Sequence, residues 1–213
     1  MASSFRLPQS LDSLTSNAPA LYLPPLLSSL PENIPPHNLP SQNPPLLTEA
    51  RLPDIDPVSL SLHKALHYFR PLSSDYANTP YSDAFNWSEL VLPADEEREW
   101  YCVAFRSKRL PGSESAPLYE ADEYAHQEAV LSGGLIMYWY GIPDPETGMN
   151  LASCIWQSRK HAVAASLAPH HIKAMQLAAQ SYQVYTLERH ILRKNKGNTS
   201  VEVLPFSGGE VGW

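Results

Sequence analysis

Cysteine is scarce: the 213 residues carry 2, Cys102 and Cys154, each inside an apolar, strand-like run. Two thiols cannot build a disulfide framework. Neither lies beside a cation or helix start that would lower its pKa, so both are read as buried free thiols rather than nucleophiles. Basic residues are in the minority too. Lys and Arg number 15 against 22 Asp and Glu, giving a net charge of −7 and a pI near 5.6. This balance gives no electrostatic reason to expect nucleic acid or an acidic membrane as partner. The stretch Arg193, Lys194, Lys196 is short enough to be a solvated strand end. No run approaches the roughly 18 apolar residues of a membrane-spanning helix. Met1 to Leu30 has no charged start followed by an unbroken apolar stretch, so no secretory leader is expected. The expected location is cytoplasmic, with the nucleus also open. No glycine fingerprint for a nucleotide and no short zinc motif occurs, so no cofactor and no metal are expected.

What is abundant is proline, and it is unevenly spread. Residues 1–57 hold 12 of the 21 prolines, with doublets at Pro24-Pro25, Pro35-Pro36 and Pro44-Pro45. Proline removes a donor and restricts the residue before it, which disfavours helices and central strands. The same stretch carries many leucines and little charge. It is expected to be an arm, part of which lies as an extended strap against the folded body or a partner; a flexible arm is the competing reading. Residues 58–98 form a second segment. Leu60, Leu62, Leu66 and Phe69 suggest a short helix ended by Pro71. His63 and His67 share one face of it, without a third metal ligand in a motif position. Tyr76, Tyr81, Phe85 and Trp87 anchor an ordered connection.

Residues 99–213 read as an α+β domain with a C-terminal tail, which Val201-Glu-Val-Leu204 could hold as a small extra strand. Strands are expected over 99–106, 135–140, 151–157 and 184–192, from period-two alternation. A helix over 118–131 is stopped by Gly133-Gly134. Ser158 caps a second helix that Pro169 interrupts or restarts, with Ile172, Met175, Ala179 and Tyr182 spaced three and four apart. The order strand, helix, strand, strand, helix, strand predicts a ferredoxin-like four-stranded antiparallel sheet with two crossover helices on one face.

With this order of elements, several motifs carry a resemblance. They are Phe69-Arg-Pro-Leu, Phe85-Asn-Trp-Ser-Glu, Trp156-Gln-Ser-Arg-Lys-His161, Pro169-His-His-Ile-Lys-Ala174 and the closing Gly208-Gly-Glu-Val-Gly-Trp. From about His63 to Trp213 the chain resembles the fungal proteins grouped as UPF0643, which implies fold and origin but no chemistry. More loosely, residues 99–193 are similar to the dimeric α+β barrel superfamily of ferredoxin-like domains. That likeness implies dimerisation through open sheet faces. It implies activities ranging over cofactor-free oxygenation, cyclisation, decarboxylation and heme-dependent chemistry, among which a fold does not choose.

Two clusters are candidates for chemistry. On the last strand, alternation puts Thr186, Glu188 and His190 on one face and Tyr185, Leu187 and Ile191 on the other. If the helices cover the second set, Glu188 and His190 line a pocket or dimer seam. There the carboxylate would orient or tune the imidazole as a base; an ion pair at an edge is the structural alternative. Arg159, His161, His170 and His171 form the other cluster. His161 sits in the first turn after Ser158, where the helix dipole disfavours an imidazolium, and Arg159 would bind an anion. Adjacent His170 and His171 diverge, so at most one of them faces a given pocket. Of Tyr138, Trp139, Tyr140 and Trp156, half should pack under the helices and the other half could line an apolar cavity for a hydrophobic ligand, with core packing as the default for each.

The expected function is a small-molecule enzyme acting on a hydrophobic organic substrate by general acid–base chemistry, as an isomerase, cyclase or lyase, without nucleotide or flavin. The alternative is a non-catalytic ligand-binding or protein-interaction protein; heme ligation by His190 or His170 is a third reading. Both faces of strands 99–106 and 135–140 are rich in apolar atoms. The sheet face opposite the helices is therefore expected to be buried in a symmetric homodimer, or else under the N-terminal arm.

Overall fold

The computed structural model of the protein describes residues 19–23 and 55–212; the proline doublets and most of the arm leucines lie outside them. Among the described residues, six strands form one antiparallel sheet: Ala20–Tyr22 (β1), Arg98–Arg109 (β2), Leu135–Tyr140 (β3), Met149–Trp156 (β4), Tyr182–Lys194 (β5) and Val201–Pro205 (β6). Their spatial order is β1-β3-β4-β2-β5-β6.

This corrects the expected fold class. The four expected strands are present, but β1 and β6 extend them to six. β6 is the small extra strand expected over Val201–Leu204, paired with β5, whereas β1 is three residues long, too short for a period to show in the sequence. The sheet also stays open, with β1 and β6 as its two edges and unpaired with each other. It is not closed into a barrel, and the barrel-type fold is not what this chain adopts.

Two layers cover the sheet. On one face lie Pro57–Ala65 (α1), Tyr81–Ala84 (α2) and the turns between and after them. Asp56 explains how this layer is fastened. Its carboxylate caps α1, accepting from the Ser59 N–H at 2.9 Å and the Ser59 hydroxyl at 2.5 Å. The same hydroxyl accepts from the Trp100 indole N–H at 2.8 Å, and Arg98 pairs with Asp56 at 3.2 Å. One helix cap is thus stapled to β2. Leu62, Leu66, Phe69, Phe85 and Trp87 then pack on Trp100, Met137 and Trp139. Phe85 meets Trp139 edge-on at 4.8 Å. Each such side chain contributes about 1.5–3 kcal/mol through burial.

The face expected to bury itself against a second copy is therefore buried within the chain, by residues 57–92. It is not available as a dimer seam. One further expectation changes: Lys194 is not a solvated strand end but fully buried, donating to the carbonyls of Glu96 and Asn195 at 2.9 and 3.1 Å.

The opposite face carries Ala116–Ser132 (α3), Arg159–Ser166 (α4) and Pro169–Ser181 (α5). Ala121, Ala125 and Ala129 recur every four residues on the buried stripe of α3. Gly133 and Gly134 end α3 at φ of +83° and +78°, conformations that suit glycine. Gly134 has a second constraint, since a Cβ there would overlap the imidazole of His161.

Candidate active site

Alternation along β5 turns Thr186, Glu188 and His190 toward the face covered by residues 57–92. Glu188 stands opposite Ala104 and His190 opposite Cys102 on β2. These small neighbours leave room above the strand. The stretch 77–82 crosses over that room, and a cavity of about 540 Å3 lies between them. Its remaining walls are Arg106, Met149, Glu188, His190, Val203 and Pro205.

Arg106 organises the polar side. Its Nε donates to Glu188 Oε1, and its terminal nitrogens donate to the carbonyls of Ala77, Thr79 and Tyr76, the last two at 2.6 and 3.4 Å. Glu188 uses its other oxygen on His190 Nε2 at 3.3 Å. A carboxylate only accepts, so Nε2 carries the proton and neutral His190 keeps a lone pair on Nδ1. Burial lowers the His190 pKa; Glu188 works in the raising direction, and Arg106 adds to the lowering. The imidazole is thus neutral at pH 7. Its ring stacks on Tyr81 at 4.7 Å. Tyr81 is fully enclosed and shares a 2.5 Å hydrogen bond with Ser153, and burial holds its phenol well above the ordinary tyrosine range. Tyr81 is a fixed wall, not an acid.

The other expected site residues lie elsewhere. Arg159 and His161 are on α4, on the opposite side of the sheet. Ser158 caps α4, accepting from the His161 N–H at 3.4 Å, and its hydroxyl lies 2.7 Å from His161 Nδ1. The His161 pKa is lowered by burial first, then by Lys160 and Arg98. Arg159 reaches Glu210 of the tail at 3.4 Å and lies 5.9 Å from the Phe206 ring centre. His171 opens α5, where the Glu128 carboxylate accepts from the N–H groups of His170 and His171 at 2.9 and 3.2 Å. Glu188 and His190 come together; Arg159, His161 and His171 do not join them. Among the described residues, no group of three His, Cys, Asp or Glu side chains could hold a metal ion, and no helix is long and apolar enough to cross a membrane.

Sequence reasoning missed Arg106 and the turn it holds, because that contact spans 82 residues between Arg106 and Glu188 and has no local signature. It also missed a buried polar cluster beneath α3. Asp122 and His126 are four apart on one helical face, a spacing that was legible. Tyr140 donates to Asp122 at 2.8 Å and its hydroxyl lies 3.4 Å from His126 Nδ1; Tyr22 of β1 meets His126 edge-on at 4.4 Å.

Comparison with known proteins gives a fold likeness and a family. SnoaB, a cofactor-independent oxygenase from Streptomyces nogalater, is similar with a TM-score of 0.36 and 9% identity, covering 46% of this chain and 94% of that one. The protein YJCS is similar with a TM-score of 0.34 and 14% identity, covering 43% and 95%. Likenesses this weak carry nothing about activity. The UPF0643 protein PB2B2.08 of Schizosaccharomyces pombe is 35% identical over 158 residues, 65% of this chain and 70% of that protein. The family model described as PB2B2.08-like matches residues 41–205, and so the chain belongs to the PB2B2.08-like family, to which the UPF0643 protein of fission yeast is a relative.

Proposed function

We propose that the protein is an enzyme that moves a proton on a neutral, hydrophobic small molecule bound in the cavity beneath residues 77–82. The observation that carries this reading is the line Arg106, Glu188, His190, which ends on a neutral imidazole at a cavity wall. Glu188 holds His190 in one tautomer, and Nδ1 takes the proton as general base. The imidazolium formed would be stabilised by Glu188 and return the proton to another atom of the substrate, which is isomerisation, or deliver it to a leaving group that departs with its bonding electrons, or to the atom that gains the electron pair as a ring closes. A neutral substrate fits Arg106, four of whose five N–H donors are committed to Glu188 and to backbone carbonyls and whose charge the Glu188 carboxylate already pairs. Met149, Val203 and Pro205 supply apolar contact. The chain's own groups suffice for this chemistry, without nucleotide or flavin.

The test is native mass spectrometry of the purified full chain for a retained small molecule, followed by turnover of that compound or its analogues. His190→Gln and Glu188→Gln should each lower kcat by about 10²- to 10⁴-fold while remaining folded. Unchanged turnover in both folded variants would refute the assignment. A second reading is a binding protein without catalysis. It draws on the three carbonyls that Arg106 ties down, which make Arg106, held in place by Glu188, a clamp for the 76–79 turn. That reading predicts ligand retention with no chemical change in any compound bound.

A further inference from the structure

Half of β5 runs past its outer neighbour. β6 pairs with His190–Lys194 only. Among the described residues, β2 is the one strand that pairs with Tyr182–Arg189. The last bond on the outer side runs from the Phe206 N–H to the Arg189 carbonyl, at 3.1 Å. Backbone groups alternate in direction along an antiparallel strand, so Leu187 and Tyr185 also turn their N–H and C=O outward. Val184, Tyr185 and Leu187 are 37%, 42% and 37% exposed. Natural sheets blunt such edges with lysine, proline or a covering element. From Gln183 to Leu187 this edge has no charge and no proline, and Val184, Tyr185 and Thr186 are strong strand formers.

We infer that this edge pairs antiparallel with the same edge of a second copy, joining two sheets into one across a two-fold axis at Thr186. The register follows from the backbone. Outward-facing residues must meet each other, and the pairing must map onto itself under the two-fold. Centring on Tyr185 would require Gln183, which the irregularity at Lys108/Arg109 takes out of alternation. Centring on Leu187 would require the Arg189 carbonyl, which Phe206 already uses. Centring on Thr186 sets Tyr185 opposite the partner's Leu187, and the reverse, with both bonds exchanged in each pair. On the helix side this lengthens the apolar row of Phe105 and Leu187; on the other side the two threonines stand next to each other. A seam of about five residues is about 17 Å long. A single strand seam of this length makes a small interface, so the dimer is expected to be weak and concentration-dependent. The symmetric partner expected of the sheet face is thereby assigned to the sheet edge.

The experiment uses the full chain. Sedimentation from 1 to 200 μM should show a reversible shift from 23.7 kDa toward twice that mass, abolished by Leu187→Lys. Thr186→Cys should form an intermolecular disulfide rapidly under mild oxidation, because directly opposed residues of a non-hydrogen-bonded pair lie about 4.5 Å apart at Cα. Glu202→Cys, exposed on β6, should not, and the native Cys102 and Cys154 are buried. A monomer throughout that range overturns the proposal. So does a dimer that Thr186→Cys fails to cross-link or that Leu187→Lys leaves intact.

Discussion

Acidification from pH 7.5 to pH 5 should remove about 2 kcal/mol of folding stability through His126 alone. This side chain is 9% exposed, and its Nε2 has no hydrogen-bond partner among the described residues. Burial lowers its pKa from 6.5 to about 4. A folded-state pKa below the unfolded one means that the unfolded chain binds the proton more readily. The stability at stake is fully present above the unfolded value, falls as pH drops from there toward about 4, and stays lost below. A gap of about 2.5 units corresponds to about 3 kcal/mol in full, of which about 2 is gone at pH 5. Asp122, whose carboxyl burial pushes upward, acts in the opposite sense. Its contribution is shared by the wild type and His126→Leu, which isolates the imidazole. The assay is urea unfolding followed by tryptophan fluorescence at several pH values on both proteins. The stability difference between them should move by about 2 kcal/mol in favour of the variant on going from pH 7.5 to 5. Parallel pH profiles would refute the reasoning.

Other outcomes follow from particular contacts. Gly134→Ala combines a positive φ with overlap on the His161 ring and should destabilise by about 2 kcal/mol or more in thermal or urea unfolding. Trp100→Phe deletes the donor to Ser59 beside the Asp56 cap and should cost about 1–3 kcal/mol by the same measurement. Glu188 raises the His190 pKa, so Glu188→Gln should lower it further, read as a shift of the His190 imidazole resonances in an NMR titration. Arg106→Gln should release the 76–79 carbonyls, seen as faster hydrogen exchange across residues 77–82 with slow exchange kept in β2 and β4.

The central strands and the crossover helices were legible because each carries a full period. β2 shows a run of six apolar residues from Trp100 to Phe105, and α3 ends at two adjacent glycines. β6 was readable as a small extra strand, though not its place beside β5, and β1 was not legible at all, since three residues define no period and its place depends on β3. The pairing of Glu188 with His190 was readable because two residues on one strand face are neighbours whatever the fold. Arg106 was not, because its bonds reach segments 27 to 82 residues away in sequence. The separation of Arg159 and His161 from His190 was equally hidden, since only the layer order decides which side of the sheet a helix covers. That layer order also decided the fate of the second sheet face. Its apolar side chains were visible, while the segment that covers them was read as a connection.

The cavity is closed by parts of the chain made at opposite ends of synthesis. Residues 77–82 emerge before β2, whereas Glu188, His190 and Val203 come last, and Tyr81 must find Ser153, 72 residues on. Until β5 docks, the layer of residues 57–92 rests on an incomplete sheet, with Arg106 lacking its carboxylate. Contacts of such long range raise the entropic cost of loop closure and slow folding. They also make the cavity a late product, present only in molecules whose sheet is complete. A nascent or C-terminally shortened chain would carry the apolar layer without the pocket, and would present its aromatic residues to the quality-control machinery rather than to a ligand.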